Sequence, residues 1–247
     1  MNKLLAVLTM LCASVLHGAA LAEVVTVYTS ARVAPLVVSD EQGIYPDLVH
    51  YLNRHAPGGL SFRLEYLPRK RLQVKVENGE LDGIVIGMMP HWFDDAAQKK
   101  YLWTVPFALD RYVVVLPAGQ AYSQARPGAL TGRSLGMVLG YSYPDLAPWI
   151  HRQGLVRSDA ASDDKSLEKL RLGRVDSVAA AESVVRYYMK MHAIREDEFQ
   201  LHGLPSRPTE RRFLVPRSKA AVYEKIAPVI RRLKDDPEWQ RLISGYE

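Results

Sequence analysis

The chain has 247 residues, of which 48% are hydrophobic and 24% are charged, and its formal net charge is +5. This composition is typical of a globular protein and excludes a fibrous or intrinsically disordered chain. The basic residues are dispersed rather than clustered with aromatic residues, so we expect no nucleic-acid partner. The only cysteine, Cys12, lies within the first 22 residues, which excludes disulfides and cysteine metal sites from the rest of the chain.

The first 22 residues have the pattern of an export signal. Lys3 precedes the apolar segment Leu4–Leu16, and the small-x-small sequence Ala20-Leu21-Ala22 follows. The apolar segment is shorter than the ~20 residues that a membrane-spanning helix needs. The residues before Cys12 are bulky, whereas a lipoprotein signal has small residues there. We therefore expect cleavage after Ala22 and release into the periplasm, not attachment as a lipoprotein.

The first half of the remaining chain alternates between strand and helix patterns. Strands are predicted at Val24–Tyr28, Phe62–Leu67 and Ile84–Ile86, and helices at Asp47–Leu52 and from Pro68 to Asn78. This β-α-β-α-β order predicts a mostly parallel sheet covered by helices.

One unit of the chain occurs twice. A helical pattern ends at Gly79, the turn residue Asp82 follows, and a buried strand begins; the same order recurs at Gly173 and Asp176. The offset is a constant 94 residues. The flanking elements agree as well, with a predicted strand at Ser134–Leu139 and a second helix that starts at Asp163-Asp164. The pattern predicts two related lobes and gives both aspartates a structural role.

Two places in the chain suggest crossings between the lobes. The predicted strand Arg111–Leu116 leads into a Gly/Ala/Ser/Pro-rich stretch, and the predicted strand Arg211–Val215 follows a Pro-rich joint. Crossings near 117 and 209 would form a hinge of two strands. The predicted organisation is a signal peptide at 1–22, lobe 1 at 23–116 plus 210–247, and lobe 2 at 117–209, with the C-terminal helices packed on lobe 1.

Several short motifs resemble those of the family 3 periplasmic solute-binding proteins of ABC transporters, of the polar amino-acid-binding type. They are Asn78-Gly79-Glu80-Leu81-Asp82 with Gly87-Met88, Leu130–Gly136, Leu139-Gly140-Tyr141-Ser142, Leu172–Asp176 and Asp236-Pro237-Glu238-Trp239. Each motif is short, and their order over nearly all of the mature chain carries the resemblance. It implies the α/β type II (Venus-flytrap) fold, in which two mostly parallel sheets are joined by a two-strand hinge. It also implies a monomer that captures a small solute for an inner-membrane permease, without a cofactor.

The sequence departs from this family where the family reads its ligand. The loop Pro90–Lys100 contains no arginine to pair with a ligand carboxylate, and Asp94 lies near that register. Arg69 stands where the family often has a tryptophan. The acid that the resemblance places in lobe 2 would fall at Ala181, with Glu182 one residue later. The ligand's identity therefore stays open.

The candidate ligand-binding residues are polar, aromatic or glycine positions at predicted loop ends: Tyr28, Ser30, Tyr45, Arg69, Gly87, Met88, Trp92, Arg111, Gly140, Tyr141, Ser142, Tyr143 and Glu182. Arg69 is either a clamp for a carboxylate or phosphate or a solvated cation at a helix start. Arg111 is either a ligand contact or an exposed cation. The amides of Gly140–Tyr143 either bind an anion at a helix N-terminus or cap that helix.

Two other functions are compatible with the same fold. One is a periplasmic enzyme resembling the cyclohexadienyl dehydratases, with Glu182 as the general acid. The other is an accessory protein that presents a bound ligand to a membrane receptor. The histidines have no metal-site spacing, and the sequence contains no nucleotide-binding or nucleophile motif, so we expect no metal and no catalytic residue.

Overall fold

The computed structural model describes residues 23–122 and 130–246. The predicted signal peptide, with Cys12, lies outside the described residues, and so does most of the Gly/Ala/Ser/Pro-rich stretch that ends at Gly128. None of the described helices is both long enough and apolar enough to cross a membrane.

The described residues form eleven strands and seven α-helices. The strands are β1 Glu23–Thr29, β2 Leu60–Tyr66, β3 Ile84–Met88, β4 Leu102–Trp103, β5 Ala108–Asp110, β6 Tyr112–Pro117, β7 Ser134–Val138, β8 Val156–Ala160, β9 Ser177–Ala181, β10 Phe199–Gly203 and β11 Thr209–Val215. The helices are α1 Ile44–His55, α2 Arg69–Glu77, α3 Ala147–Gln153, α4 Asp163–Arg171, α5 Glu182–Met191, α6 Ala220–Arg232 and α7 Pro237–Ser244. A short 3-10 helix, Pro90–Phe93, follows β3.

The strands form two sheets with the same order. The first is β2-β1-β3-β11-β4, with β5 also paired to β11, and the second is β8-β7-β9-β6-β10. In each sheet one strand runs against the others, β11 in the first and β6 in the second. The prediction of two mostly parallel sheets is therefore confirmed, and the opposed strand of each sheet is the one next to a crossing.

The first crossing lies earlier in the chain than the sequence suggested. β5 pairs with β11 in the first sheet, whereas β6 pairs with β9 and β10 in the second, so the chain crosses at Arg111. Residues 112–116, which the prediction assigned to lobe 1, thus belong to the second sheet. The Gly/Pro-rich stretch after Pro117 connects two strands of one sheet and misled the prediction. The second crossing runs through residues 204–208 into β11.

The repeated unit has the same backbone geometry in both lobes. Gly79 and Gly173 adopt left-handed φ angles of 71° and 66° at the ends of α2 and α4. In each case the amide of the next residue donates 2.8 Å to the carbonyl five residues earlier, Glu80 to Lys75 and Arg174 to Lys169. These hydrogen bonds end both helices in the same way, because the left-handed glycine lets the next amide bond back to the last turn.

The two aspartates of the repeat have different partners. Asp176 accepts hydrogen bonds from the amide and the hydroxyl of Ser134, both at 2.8 Å, and so fixes the start of β7 beside β9. Asp82 is exposed and pairs with Lys219 at 2.7 Å.

Each lobe has its own core because helices cover both faces of its sheet. In the first lobe Val27, Ile84 and Phe213 pack on one face, together with the helices α1, α6 and α7. The indole of Trp239 on α7 is 1% exposed there, so the C-terminal helices do pack on the first lobe. In the second lobe Val115 and Leu167 pack on one face and Met137 with Trp149 on the other.

Candidate functional site

A cavity of about 540 Å³ lies between the two sheets. Its walls come from the chain that follows β1, β3 and β7, from the first residues of α2 and α4, and from Tyr112 and Arg211 beside the crossings. This is the edge at which the parallel strands of both sheets end, where open α/β sheets bind their ligands. The fold therefore gathers the chemistry of both lobes into one site.

Most of the cavity wall is apolar or aromatic. The side chains that supply it are Val33, Leu36, Tyr45, Val74, Ile86, Met88, Trp92, Tyr112, Tyr141 and Val184. A solute bound here meets these hydrocarbon and ring surfaces, and the polar side chains of the wall orient it.

Gly87 is part of the cavity wall at a place where a side chain has no room. Its φ is +78°, and a Cβ at this position would lie 1.9 Å from Oη of Tyr45, which is itself 1% exposed. No side chain fits there, because the backbone and the phenol ring already fill the space. The glycine thus sets the position of Tyr45 in the cavity wall.

Arg69 supplies an unpaired cation to the first-lobe wall. It is the first residue of α2, and its Nη1 lies 2.8 Å from Sδ of Met88. Its guanidinium carbon is 5.3 Å from the ring of Trp92 and 5.1 Å from that of Phe93, within range of cation–π attraction. No described carboxylate lies within 4.0 Å of it. Burial lowers the pKa of Arg69 below its ordinary value.

Asp163 supplies an unpaired carboxyl group to the opposite wall. It is the first residue of α4, and it pairs with no described cation. Burial, and after it the neighbouring Asp164, raise the pKa of Asp163 to about 7, against the opposing effect of Arg211. The sequence indicated only a helix start here. The repeat offset was the available signal, because Asp163 follows Arg69 by the same 94 residues that separate the two repeated glycines.

Arg211 is a second guanidinium at the cavity, but it is already neutralised. Its Nη2 lies 3.3 Å from Oδ2 of Asp110, and its Nη1 is 3.2 Å from Oη of Tyr45. Burial acts to lower the pKa of Arg211, but Tyr45 and Asp110 outweigh burial and raise it. The hydroxyl of Ser183 also donates 2.6 Å to Asp110. The network ties both crossings to the start of α5, and sequence reasoning missed it because its members are far apart in the chain.

The lobes touch each other beside the cavity. Oη of Tyr141 in the second lobe donates 2.9 Å to the carbonyl of Ser30 in the first. Nε2 of His91 in the first lobe lies 3.3 Å from Oδ2 of Asp145 in the second. A solute in the cavity is thus enclosed by contacts from both lobes, and its release requires these contacts to open.

Nine of the thirteen predicted site residues line the cavity: Ser30, Tyr45, Arg69, Gly87, Met88, Trp92, Gly140, Tyr141 and Ser142. Four lie outside its wall. Tyr28 packs beside Leu72 in the first lobe, and the hydroxyl of Tyr143 accepts from the amide of Val138. Arg111 and Glu182 pair with each other, and Glu182 also pairs with Arg186. The carboxylate of Glu182 is therefore satisfied away from the cavity.

Gly140–Tyr143, for which the sequence left open an anion site or a cap at a helix N-terminus, form neither. α3 begins only at Ala147, so this loop lies before the first turn of the helix. The amide of Tyr141 instead donates to the carbonyl of Val138 at 3.2 Å. The loop contributes to the cavity through Gly140, Tyr141 and Ser142, not through a helix terminus.

No protein-family model and no curated protein sequence matches this chain. Solved structures do. An ancestral arginine-binding protein with bound arginine is 17% identical, with a TM-score of 0.69 over 92% of this chain and 99% of that one. A Salmonella typhimurium periplasmic binding protein with high arginine specificity is 15% identical, with a TM-score of 0.69 over 91% and 99%. The GluR0 ligand-binding core from Nostoc punctiforme, in complex with L-glutamate, is 14% identical, with a TM-score of 0.68 over 91% and 98%.

This chain has the type II periplasmic-binding-protein fold. The fold class that the motifs implied is thereby confirmed, and the cavity is the cleft between the two lobes of that fold. Among the described residues, no group of three His, Cys, Asp or Glu side chains is arranged to hold a metal ion.

Proposed function

We propose that this protein captures a small polar solute, an amino acid or a related small carboxylate or amine, in the cleft between its lobes and delivers it to an inner-membrane ABC permease. The observation that carries the proposal is the cavity itself. It is lined by both lobes, and it presents an unpaired cation, Arg69, opposite an unpaired carboxyl group, Asp163. Unpaired charged groups in a cleft cost free energy unless a ligand pairs with them.

Binding explains the site better than catalysis does. The enzymatic alternative needs Glu182 as a general acid, yet Arg111 and Arg186 bind both of its carboxylate oxygens. The hydrogen bond from Arg111 is the main cause that lowers the pKa of Glu182, so the group is ionised at neutral pH and unsuited to donate a proton. Two of the structures that share this fold are arginine-binding proteins, which supports capture.

A ligand screen tests the proposal directly. Thermal-shift measurements over amino acids, small carboxylates and amines, followed by calorimetry on each compound that raises Tm, will give a dissociation constant for at least one class. Turnover of prephenate or arogenate, measured in parallel, would favour the enzyme instead. The absence of any ligand at millimolar concentration across all three classes would overturn solute capture.

The cellular part of the proposal has its own test. We propose export to the periplasm with cleavage after Ala22, and action as a monomer. Fractionation of cells that express the full chain, with mass spectrometry of the mature N-terminus, will detect a product that begins at Glu23. Retention of Lys3 in a membrane fraction would contradict cleavage.

A further inference from the structure

Arg69 and Asp163 occupy equivalent positions in the two lobes. Each is the first residue of a helix that follows an edge strand of its sheet, α2 after β2 and α4 after β8. They are 94 residues apart, which is the repeat offset, and both line the same cavity from opposite lobes. The pseudo-symmetry of the fold therefore points one positive and one acidic side chain into the cleft from facing helix starts.

The two side chains do not neutralise each other. No ion pair joins them within 4.0 Å, and Asp163 carries no hydrogen bond to another described side chain. Two charges this close to the same cavity, but unpaired, leave room for a solute between them.

The balance of charge in the cleft favours an anion. Arg211 is matched by Asp110 at 3.3 Å, so this pair contributes no net charge. What remains is Arg69, the exposed Lys70 at the cavity edge, and the single acid Asp163. An ammonium group on the ligand would meet more cations than carboxylates. A carboxylate can pair with the guanidinium of Arg69, whose Nη1 contacts Sδ of Met88 but which no described carboxylate occupies.

The apolar part of the cavity wall favours a ligand with an apolar body. Ile86, Met88 and Val184 line the cavity together with the rings of Trp92 and Tyr112. Aliphatic and aromatic carbon gains free energy against these side chains.

We propose that the cleft selects a monocarboxylate with an apolar body and without an ammonium group, that Arg69 binds its carboxylate, and that Asp163 binds it as a protonated hydrogen-bond donor. This inference rests on the proposed function, and it names the solute class and the residue that couples capture to pH. Asp163 must carry a proton in the complex, because an ionised Asp163 would repel the anion.

The groups around Asp163 allow it to carry a proton. Asp164 on its own helix and Asp110 on β5 favour the protonated form, while Arg211 on β11 opposes it. Tyr112 on β6 and Tyr141 and Tyr143 after β7 interact electrostatically with Asp163, and Arg69 lines the cavity from the first lobe. The pKa of Asp163, about 7, means that the binding-competent form dominates below neutral pH. If only that form binds, affinity falls by about 30-fold between pH 6 and pH 8.5.

Calorimetry with matched compounds tests the inference. The probes are monocarboxylates with aliphatic and aromatic bodies, such as hexanoate and phenylacetate. Each is compared with the α-amino acid, the amine and the amide that share its body, here norleucine, hexylamine and hexanamide, and phenylalanine, phenethylamine and phenylacetamide. Titrations at pH 6 and pH 8.5, in buffers of different ionisation enthalpy, count the protons taken up on binding. We expect a carboxylate to bind with proton uptake at pH 8.5 and with lower affinity there than at pH 6.

Four variants test which residues cause the pH dependence and bind the carboxylate. Asp163→Asn keeps a hydrogen-bond donor without titrating, so it should bind at pH 8.5 as tightly as the native protein binds at pH 6. Asp164→Asn removes a carboxyl group that raises the pKa of Asp163, so the pH dependence should persist but shift to lower pH. His91→Gln changes another cavity residue and should leave the pH dependence where it is. Arg69→Gln should weaken carboxylate binding at least tenfold and leave amide binding unchanged. Circular dichroism of each variant checks that it is folded.

The outcomes separate this inference from the proposed function. Binding of the amino acids or amines in place of the acids, or affinity that rises with pH, would overturn the inference and leave solute capture intact. Carboxylate binding that is independent of pH, or whose pH dependence disappears in His91→Gln and persists in Asp163→Asn, would remove Asp163 from the mechanism. If no probe of any class binds, both the inference and the proposed function fail.

Discussion

Nη2 of Arg211 lies 3.3 Å from Oδ2 of Asp110, and this pair joins the two places where the chain passes between the lobes. Asp110 ends β5, immediately before the first crossing, and Arg211 is near the start of β11, after the second. Both side chains are nearly inaccessible to solvent, at 5% and 10% exposed. A buried pair of this kind holds its partners in register, because either charge alone would be left without compensation.

Removal of Asp110 should therefore destabilise the protein strongly. In Asp110→Ala, Arg211 loses its carboxylate and the hydroxyl of Ser183 loses its acceptor, and we expect a loss of about 3 kcal/mol in the free energy of unfolding. Urea denaturation at pH 7 measures it. Asp197→Ala, which breaks an exposed pair with Arg195, is the matched control and should show no measurable change. Equal effects in the two variants would contradict a structural role for the buried pair.

Gly87 should not tolerate even one methyl group. Gly87→Ala combines a left-handed backbone with a Cβ placed 1.9 Å from Oη of Tyr45, and we expect a loss of about 3 kcal/mol together with weakened solute binding. Gly119→Ala is the control, because Gly119 has a similar φ of +75° but open space around it. That variant should lose only about 1 kcal/mol. Thermal unfolding compares the two, and similar losses would show that backbone strain alone decides the cost.

Arg69 should be dispensable for folding and necessary for binding. Arg69→Leu removes an unpaired, half-buried cation and keeps much of the contact with Trp92, so Tm of the ligand-free protein should stay the same or rise. The affinity for the bound solute should fall at least tenfold. Arg71→Leu, on the same helix but exposed, should change neither quantity. A large drop in Tm for Arg69→Leu would indicate that the guanidinium stabilises the fold instead.

Asp163 should make the protein less stable as the pH rises. Its pKa is about 7 in the folded protein, against 3.8 for an unperturbed aspartate, so between these values the folded state holds the proton more strongly than the unfolded state does. Stability from this group is full below pH 4 and is lost as the pH rises through 7. Asp163→Asn should match the native protein at pH 4 and exceed it by on the order of 2 kcal/mol at pH 8, a figure reduced because water reaches the carboxyl group.

Thermal unfolding of both proteins between pH 4 and pH 8 measures this difference. Asp164→Asn, one residue further along the same helix, should still lose stability as the pH rises, but over a lower pH range, because Asp164 raises the pKa of Asp163. A constant difference between Asp163→Asn and the native protein at all pH values would show that Asp163 does not titrate in this range.

The repeated aspartates should respond differently to substitution. Asp176→Ala removes two hydrogen bonds to Ser134 that join β7 to the turn before β9, and we expect a loss of about 1 kcal/mol. Asp82→Ala removes only an exposed pair with Lys219 and should cause no measurable change. Urea denaturation distinguishes them. A larger loss for Asp82→Ala would mean that the structural role lies in the first lobe.

Local sequence patterns predicted the repeat and the alternation of strands and helices, and the family resemblance of the motifs implied the fold. The left-handed glycines Gly79 and Gly173 end helices because their conformation is a local property, and the apolar run at Ile84–Ile86 forms a buried strand because its periodicity is local too. Nine cavity residues could also be predicted from the sequence, because the loop ends after parallel strands meet at one edge of a sheet.

Which charged side chains line the cleft is decided by the packing of segments that are distant in the sequence. β6 pairs with β9 in the second sheet, and Glu182 pairs with Arg111, because both pairings depend on neighbours that lie far away in the sequence. In the sequence, Asp163 is an ordinary helix-start residue and Arg211 an ordinary strand residue. Their places in the cavity wall follow only from the packing of the two lobes. Local patterns record periodicity and turn chemistry, whereas burial and the choice of an ionic partner arise only when distant segments pack. The acid at the start of α4 and its relation to Arg69 are therefore properties of the assembled cleft.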